Sequence, residues 1–293
     1  MVWEQLINGI TLGSIYAVIA LGSTLVFGVL GIINMAHGAI FMFGAYLGVM
    51  ATSTLGLSLP LAFLVAIIGS GILGLLLELL ALRPLRGKKG VSHLAPLIST
   101  IGVSIFLENL AHHLFGAGNK PFRTSFSEVS FQVGGLTIYA VQIVIFVIAV
   151  VLMVGLSIWL SKTKAGRALR ASAEDLDAAS LLGVNTKKII LMTVIIASVM
   201  GGIAGVLTGM AFNSVTPQMG LSMGLKGLAI IILGGMGNVR GAVVGGLILG
   251  LSETLVVMFG ESGYRDAIAF VAIIVILLVR PQGIFGKTSE ARR

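Results

Sequence analysis

The sequence predicts an all-α, polytopic transmembrane helical bundle, and three observations carry that prediction. Only 10% of the 293 residues are charged, against about a quarter in a soluble domain. The mean hydropathy is +1.07. The apolar residues form continuous runs of spanning length, whereas a strand barrel would show alternation. With hydrocarbon around it, each segment must satisfy its own backbone polar groups, and helices do so internally. Residues 1–293 read as a single membrane domain.

Taken in order, runs of spanning length cover about 8–30, 36–55, 59–82, 93–115, 138–160, 189–212, 240–259 and 266–280. A shorter run, 223–236, ends in glycines and reads as a ninth span or a re-entrant piece, so eight to nine membrane segments are expected. Fourteen of the nineteen Lys and Arg fall within residues 83–90, 162–188 and 280–293. Each group abuts a long apolar run, so preference for the cytoplasmic face accounts for the +8 charge without a nucleic-acid partner. The C-terminus is then cytoplasmic and, with three spans before Arg83, the N-terminus lies outside. Glu4 and Glu78 are the only charges before Arg83, so no basic leader of a cleavable signal is expected. The absence of cysteine excludes disulfide frameworks, thiolate metal sites and cysteine nucleophiles.

Forty glycines are spread through the runs. In lipid, small residues let helix backbones approach closely. Where glycines cluster with asparagine, at Gly31-Ile-Ile-Asn34 and Gly234-Gly-Met-Gly-Asn238, broken helices lining a cavity are expected. The two clusters share a loose pattern that would suit two halves of an internal repeat. The segments Asn34–Gly38 and Lys226–Asn238 are therefore the expected translocation path, with Asn34, His37, Gly38, Lys226, Gly234, Gly235 and Asn238 as its candidates. Glu253 lies mid-span and joins them as a partner for Lys226, because an ionisable group inside a membrane faces a partner or a cavity. Glu78 sits close to Arg83 at the interface, where snorkelling or a local ion pair is the default. Glu108 and His112 lie one turn apart, but two ligands do not make a metal site.

Between Ser161 and Lys188 stand nine of the thirty charged residues, in a stretch that cannot lie in lipid. Ser172 followed by Asp175 reads as a variant capping box, and Gly183 as a stop signal, so a short helix over about 173–182 is expected. A capped helix held out into water by a membrane body suits a docking element. The tail Pro281-Gln-Gly-Ile-Phe-Gly286-Lys287-Thr288 is one residue short of a P-loop and has no strand before it, so the chain is not expected to bind nucleotide. No nucleophile elbow or paired catalytic carboxylates are found, which argues against an enzyme.

The run Ala171 to Asn185, with Glu174, Ala178, Ala179 and Gly183, resembles the cytoplasmic loop of bacterial ABC-importer permeases. More widely, the chain is similar to the H-type permease of branched-chain amino-acid importers. Matching stretches are Gly31 to Ala39, Glu78 to Pro84, Ile98 to Gly102, Gly166 to Ala171, Gly234 to Asn238 and Arg280 to Gly286. The Glu-Ala-Ala order of the signature is spread out here. The resemblance implies a type II importer-like permease in the bacterial inner membrane, paired with a second related permease or a second copy. It also implies two cytoplasmic ATPases that bind the ATP, a periplasmic or extracellular solute-binding protein, and no cofactor in this chain. Branched-chain or other neutral amino acids are the implied substrates, with urea and short-chain amides as alternatives, while Lys226 and Glu253 keep an ion-coupled secondary transporter as the alternative class. Residues 161–188 become the coupling segment. Gly166, Arg167 and Arg170 lie within it, ahead of the expected helix. Leu176, Ala179 and Leu182 form its expected apolar face beside Ala178, while Arg167, Arg170, Glu174 and Asp175 form the polar rim and Gly183 the stop.

Overall fold

The computed structural model describes residues 2–86, 94–122, 124, 126, 129–133, 136–259, 265–280 and 282–286. Lys88, Lys89, Pro281, Lys287, Thr288, Arg292 and Arg293 lie outside them. The bundle is organised around α1 (Val2–Leu30), whose residues 11–22 are buried on every side. At a rise of about 1.5 Å per residue this helix is roughly 44 Å long.

Glycine decides how closely the inner helices approach. Helix α10 (Val239–Phe259) lies along α1, with Gly246 and Gly250 against Gly9, Gly13 and Ala17; a Cβ on Gly246 would stand 2.5 Å from Ala17 N. Helix α8 (Thr186–Phe212) crosses α2 (Ala36–Val49), and a Cβ on Gly205 would come within 2.9 Å of Ala45 N. These contacts bring backbone to backbone, as dispersion-driven association in lipid requires. On the periphery are α3 (Leu59–Leu76), α4 (Ala95–Phe115) and α5 (Ala140–Lys162). Their outer faces expose Ile68, Ile72, Phe106, Val147 and Val151, the pattern of helices whose solvent is hydrocarbon. A π-helical turn extends α2 over Met50–Thr54, and another extends α3 over Leu77–Leu82.

Among the described residues, six helices are long and apolar enough to cross a membrane: Val2–Leu30, Ala36–Thr54, Leu59–Leu85, Ala140–Lys162, Thr186–Phe212 and Val239–Met258. The other expected segments are helical but fall outside the six. Helix α4 carries Glu108, Asn109, His112 and His113 in its second half. Helices α9 (Met219–Gly234) and α11 (Arg265–Val279) have only sixteen and fifteen residues. Among the described residues the body is helical. The all-α expectation is departed from between α4 and α5, where strands β1 (Ser130–Val133) and β2 (Leu136–Tyr139) form an antiparallel hairpin with Ser130 opposite Tyr139.

The expected break after the first helix is present. Gly31 has φ of +64°, and α2 restarts inside the bundle, where the His37 ring packs against Gly22 of α1 and Gly201 of α8. The non-helical backbone there finds side-chain partners: Met35 N donates to Thr100 Oγ1 of α4 at 3.2 Å and Ala36 N to Asn34 Oδ1 at 3.1 Å. The two ends of the bundle differ in charge. Arg83, Arg86, Lys187 and Lys188 line one cleft, and Arg170 and Arg240 line a neighbouring one. Asn8, Tyr139, Gln142 and Asn213 line a cleft at the opposite end.

Candidate functional site

The charged island folds as two short helices at the basic end. Thr163 opens α6 (Lys164–Glu174), its Oγ1 accepting from Gly166 N at 3.0 Å. Gly166, Leu169 and Ser172 recur every three residues and form the buried stripe of α6. Gly166 sits on the end of α5, where a Cβ would meet Leu160 Cα at 2.6 Å. The chain then turns at Asp175 and begins α7 (Leu176–Leu181).

This corrects the expected single helix over 173–182 opened by Ser172. Ser172 lies inside α6 with its hydroxyl buried and without a hydrogen-bond partner among the described residues. The cap is Asp175 itself, whose Oδ1 accepts from Asp177 N at 2.8 Å and Ala178 N at 2.9 Å. An aspartate there satisfies two of the orphan amides at a helix start. The stop signal acts as expected. Gly183 has φ of +85°, its N–H donates to Ser180 O, and Val184 N donates to Ala179 O, each at 3.0 Å. That pair of bonds is a Schellman motif, which needs the left-handed conformation glycine adopts freely. Asn185 Oδ1 then caps α8 by accepting from Lys188 N at 3.0 Å.

The capped turn leaves two leucines bare. Leu181 is 87% exposed and Leu182 84%, whereas Ala179 is buried and Leu176 half-buried. The free apolar face is therefore Leu181 with Leu182, and Ala179 anchors α7 from beneath. Arg167, Arg170, Glu174, Asp175 and Ala178 are exposed around it. Leu181 was missed by reasoning from helical spacing, since the end of a six-residue helix presents both of its last leucines.

The expected path residues fall in three places. In the first, Lys226 Nζ stands 2.9 Å from Glu253 Oε1, the pairing anticipated from their mid-membrane positions. Tyr16, absent from that reading, completes the cluster: its hydroxyl donates to Glu253 Oε2 at 2.7 Å and receives from Lys226 Nζ at 3.0 Å. All three are buried, Glu253 and Tyr16 completely. The signal that existed was a tyrosine in the middle of a long apolar helix, where a buried hydroxyl must find a partner. In the second place, Asn34 and His37 border a cavity of about 30 Å3, lined also by Ser23, Gly224 and Ile231. His37 Nε2 lies 3.3 Å from Ile19 O. Gly38 forms the crossing of α2 with α9, its Cα position leaving 2.9 Å between a Cβ and Gly224 Cα. In the third, Gly234, Gly235 and Asn238 form the turn from α9 to α10. Asn238 Oδ1 accepts from Arg240 N and Gly241 N, and its Nδ2 donates to Phe285 O at 3.1 Å. Ile284 N and Phe285 N bond to Leu233 O and Gly234 O, so the C-terminal turn seats on the end of α9. Asn34 and Asn238 each follow a positive-φ glycine and cap the amide two residues on.

Residues 5–278 match the family model described as "Branched-chain amino acid transport system / permease component". The chain belongs to this permease family. It is 40% identical over 297 residues to the high-affinity branched-chain amino acid transport system permease protein BraD of Pseudomonas aeruginosa, covering 97% of this chain and 95% of that one. With LivH of Escherichia coli K12 it shares 38% over 297 residues, with the same coverages. It is also 30% identical to LivM of the same organism, over 98% of this chain and 72% of that one. Among solved structures, PsaBC from Streptococcus pneumoniae in complex with Fab shares the fold, with a TM-score of 0.54 at 14% identity over 97% of this chain and 93% of that chain. The family is one of transport permeases, not of enzymes.

Proposed function

We propose that this permease is the membrane-spanning subunit of an ATP-driven importer that carries branched-chain amino acids into a bacterial cell, with α6 and α7 as the element that couples it to ATP hydrolysis. The observation that carries the coupling role is the pair Leu181–Leu182, held in water at the tip of a doubly capped turn. An exposed apolar patch on a rigid support is a contact surface. One of the importer's two ATPase subunits docks there, and those subunits bind the ATP, so this chain needs no cofactor. Likeness to both LivH and LivM supports a second, related permease as its partner in the membrane, and a solute-binding protein delivers substrate at the far face. The basic end, with the C-terminus, then faces the cytoplasm of the inner membrane, as Lys and Arg near short loops favour. In this reading the chain crosses or enters the bilayer in eight to nine segments. The translocation path runs by Asn34, His37 and Gly38, and by Lys226, Gly234, Gly235, Asn238 and Glu253, where broken backbone and buried polar groups interrupt the apolar walls.

The test is L181D/L182D in the complex assembled with its ATPase subunits. Loss of ATPase co-purification and of vanadate-sensitive leucine uptake into proteoliposomes is expected, with membrane insertion unchanged. Undiminished uptake would sink the coupling role.

A further inference from the structure

One cleft at the basic end is used neither by the path nor by the leucine tip. It lies between the π-helical turn Leu77–Leu82 and the junction of α7 with α8, and its volume is about 790 Å3, within the roughly 300–1,000 Å3 of small-molecule sites. We propose that it binds the headgroup of an anionic phospholipid from the adjoining leaflet.

Charge is the first argument. Arg83, Lys187 and Lys188 line the cleft, are exposed, and have no ion-pair partner among the described residues. Glu78 contributes no net repulsion: it is buried and paired with Arg86, which also lines the cleft. Among the described lining residues that leaves Asp177 as the only acid opposing three cations. The start of α8 adds to them, since Asn185 and Thr186 border the same space and a helix N-terminus carries positive partial charge. Apolar lining is the second argument. Leu79, Leu176, Ile190 and Leu191 share the cleft with the cations, and Leu80, next to Leu79, is 74% exposed. A phosphate at the cations with acyl chains leaving past Leu80 matches both features of the cleft. A free nucleotide fits less well, because no aromatic residue lines the cleft to stack a base. Basic pockets between membrane helices at the cytoplasmic face are sites of this chemistry.

The inference rests on the basic end lying at the bilayer surface on the cytoplasmic side. The full chain in detergent is titrated with dioctanoyl-phosphatidylglycerol, and in parallel with dioctanoyl-phosphatidylcholine, glycerol 3-phosphate and inorganic phosphate. Saturable binding of phosphatidylglycerol alone is expected, weakened about tenfold or more by K187Q/K188Q. K162Q/K164Q removes the same charge from outside the cleft and should leave binding intact. Equal binding by K187Q/K188Q, or equal weakening by K162Q/K164Q, overturns the site. Competition by glycerol 3-phosphate or phosphate at the same concentration makes it a free-anion site and overturns the lipid. Because the chain has no cysteine, K164C labelled by an impermeant maleimide in intact cells reports the side separately. Labelling there refutes the orientation without touching the micelle result.

Discussion

The capped turn of α6 and α7, a knob at the basic end, and the buried cluster of Tyr16, Lys226 and Glu253 are both polar interruptions of an apolar protein, and they satisfy their polar groups over opposite ranges. In the knob, Asp175 bonds to amides two and three residues ahead, and Asn185 to the amide three ahead. In the cluster, Tyr16 bonds to Glu253 across 237 residues and to Lys226 across 210. Water explains the difference. A loop in water needs hydrogen bonds only where its backbone turns, and side chains next to the turn supply them. In hydrocarbon an unpaired charge costs several kcal/mol, so a lysine there is kept only with a partner that the fold delivers.

The largest effects should come from breaking the long-range cluster. Lys226→Met leaves Glu253 charged and buried, and removing one partner of such a pair costs about 3–5 kcal/mol. A large drop in the melting temperature of the purified protein is expected. The double change K226M/E253M should recover most of that drop, since the two charges go together. Tyr16→Phe should fall between, leaving about 1–3 kcal/mol of unmet hydrogen bonding. A single K226M that melts like the wild type would show that the contact carries no coupling, and the contrast with the knob would collapse.

A smaller effect distinguishes glycines that look alike in the sequence. Gly38→Ala places a methyl against Gly220 and Gly224 of α9, and overpacking of this kind costs about 1–3 kcal/mol. Gly102→Ala, on the exposed face of α4 with nothing within 4 Å, should be neutral or slightly stabilising, because alanine is the better helix former. Equal melting temperatures for the two variants would refute the close crossing of α2 and α9.

This pair shows where the sequence was readable. Runs of hydrocarbon, the break at Gly31 and the stop at Gly183 depend on neighbouring residues and were legible. Which glycine packs and which merely fills a helix depends on what lies opposite, and one chain read along its length does not say. Lys226 and Glu253 could be matched because each is costly alone, whereas Tyr16 gave the weaker signal of a single hydroxyl on a side chain that is half apolar by nature. The cap was misassigned for the same reason. Ser172 and Asp175 both suit a helix start, and the place of Ser172 on the buried stripe of α6 decided between them.

The smallest effect on stability, and the finest test of the comparison, lies at Asp175. Removing a capping side chain costs about 1 kcal/mol, and a six-residue helix has no cooperative reserve to absorb it. The loss should nonetheless stay local, because the cap bonds only to α7 and the bundle core lies elsewhere. Asp175→Ala should therefore leave the melting temperature of the body nearly unchanged while lowering leucine uptake roughly fivefold, as a turn that is formed less often engages the ATPase less often. Asp175→Asn keeps an acceptor oxygen at the same place and should restore most of the uptake. If the asparagine variant instead behaves like the alanine one, the charge of Asp175 acts as part of the docking rim and not as a cap. If the alanine variant lowers the melting temperature as much as Lys226→Met does, the knob is not the locally satisfied element that its hydrogen bonds describe.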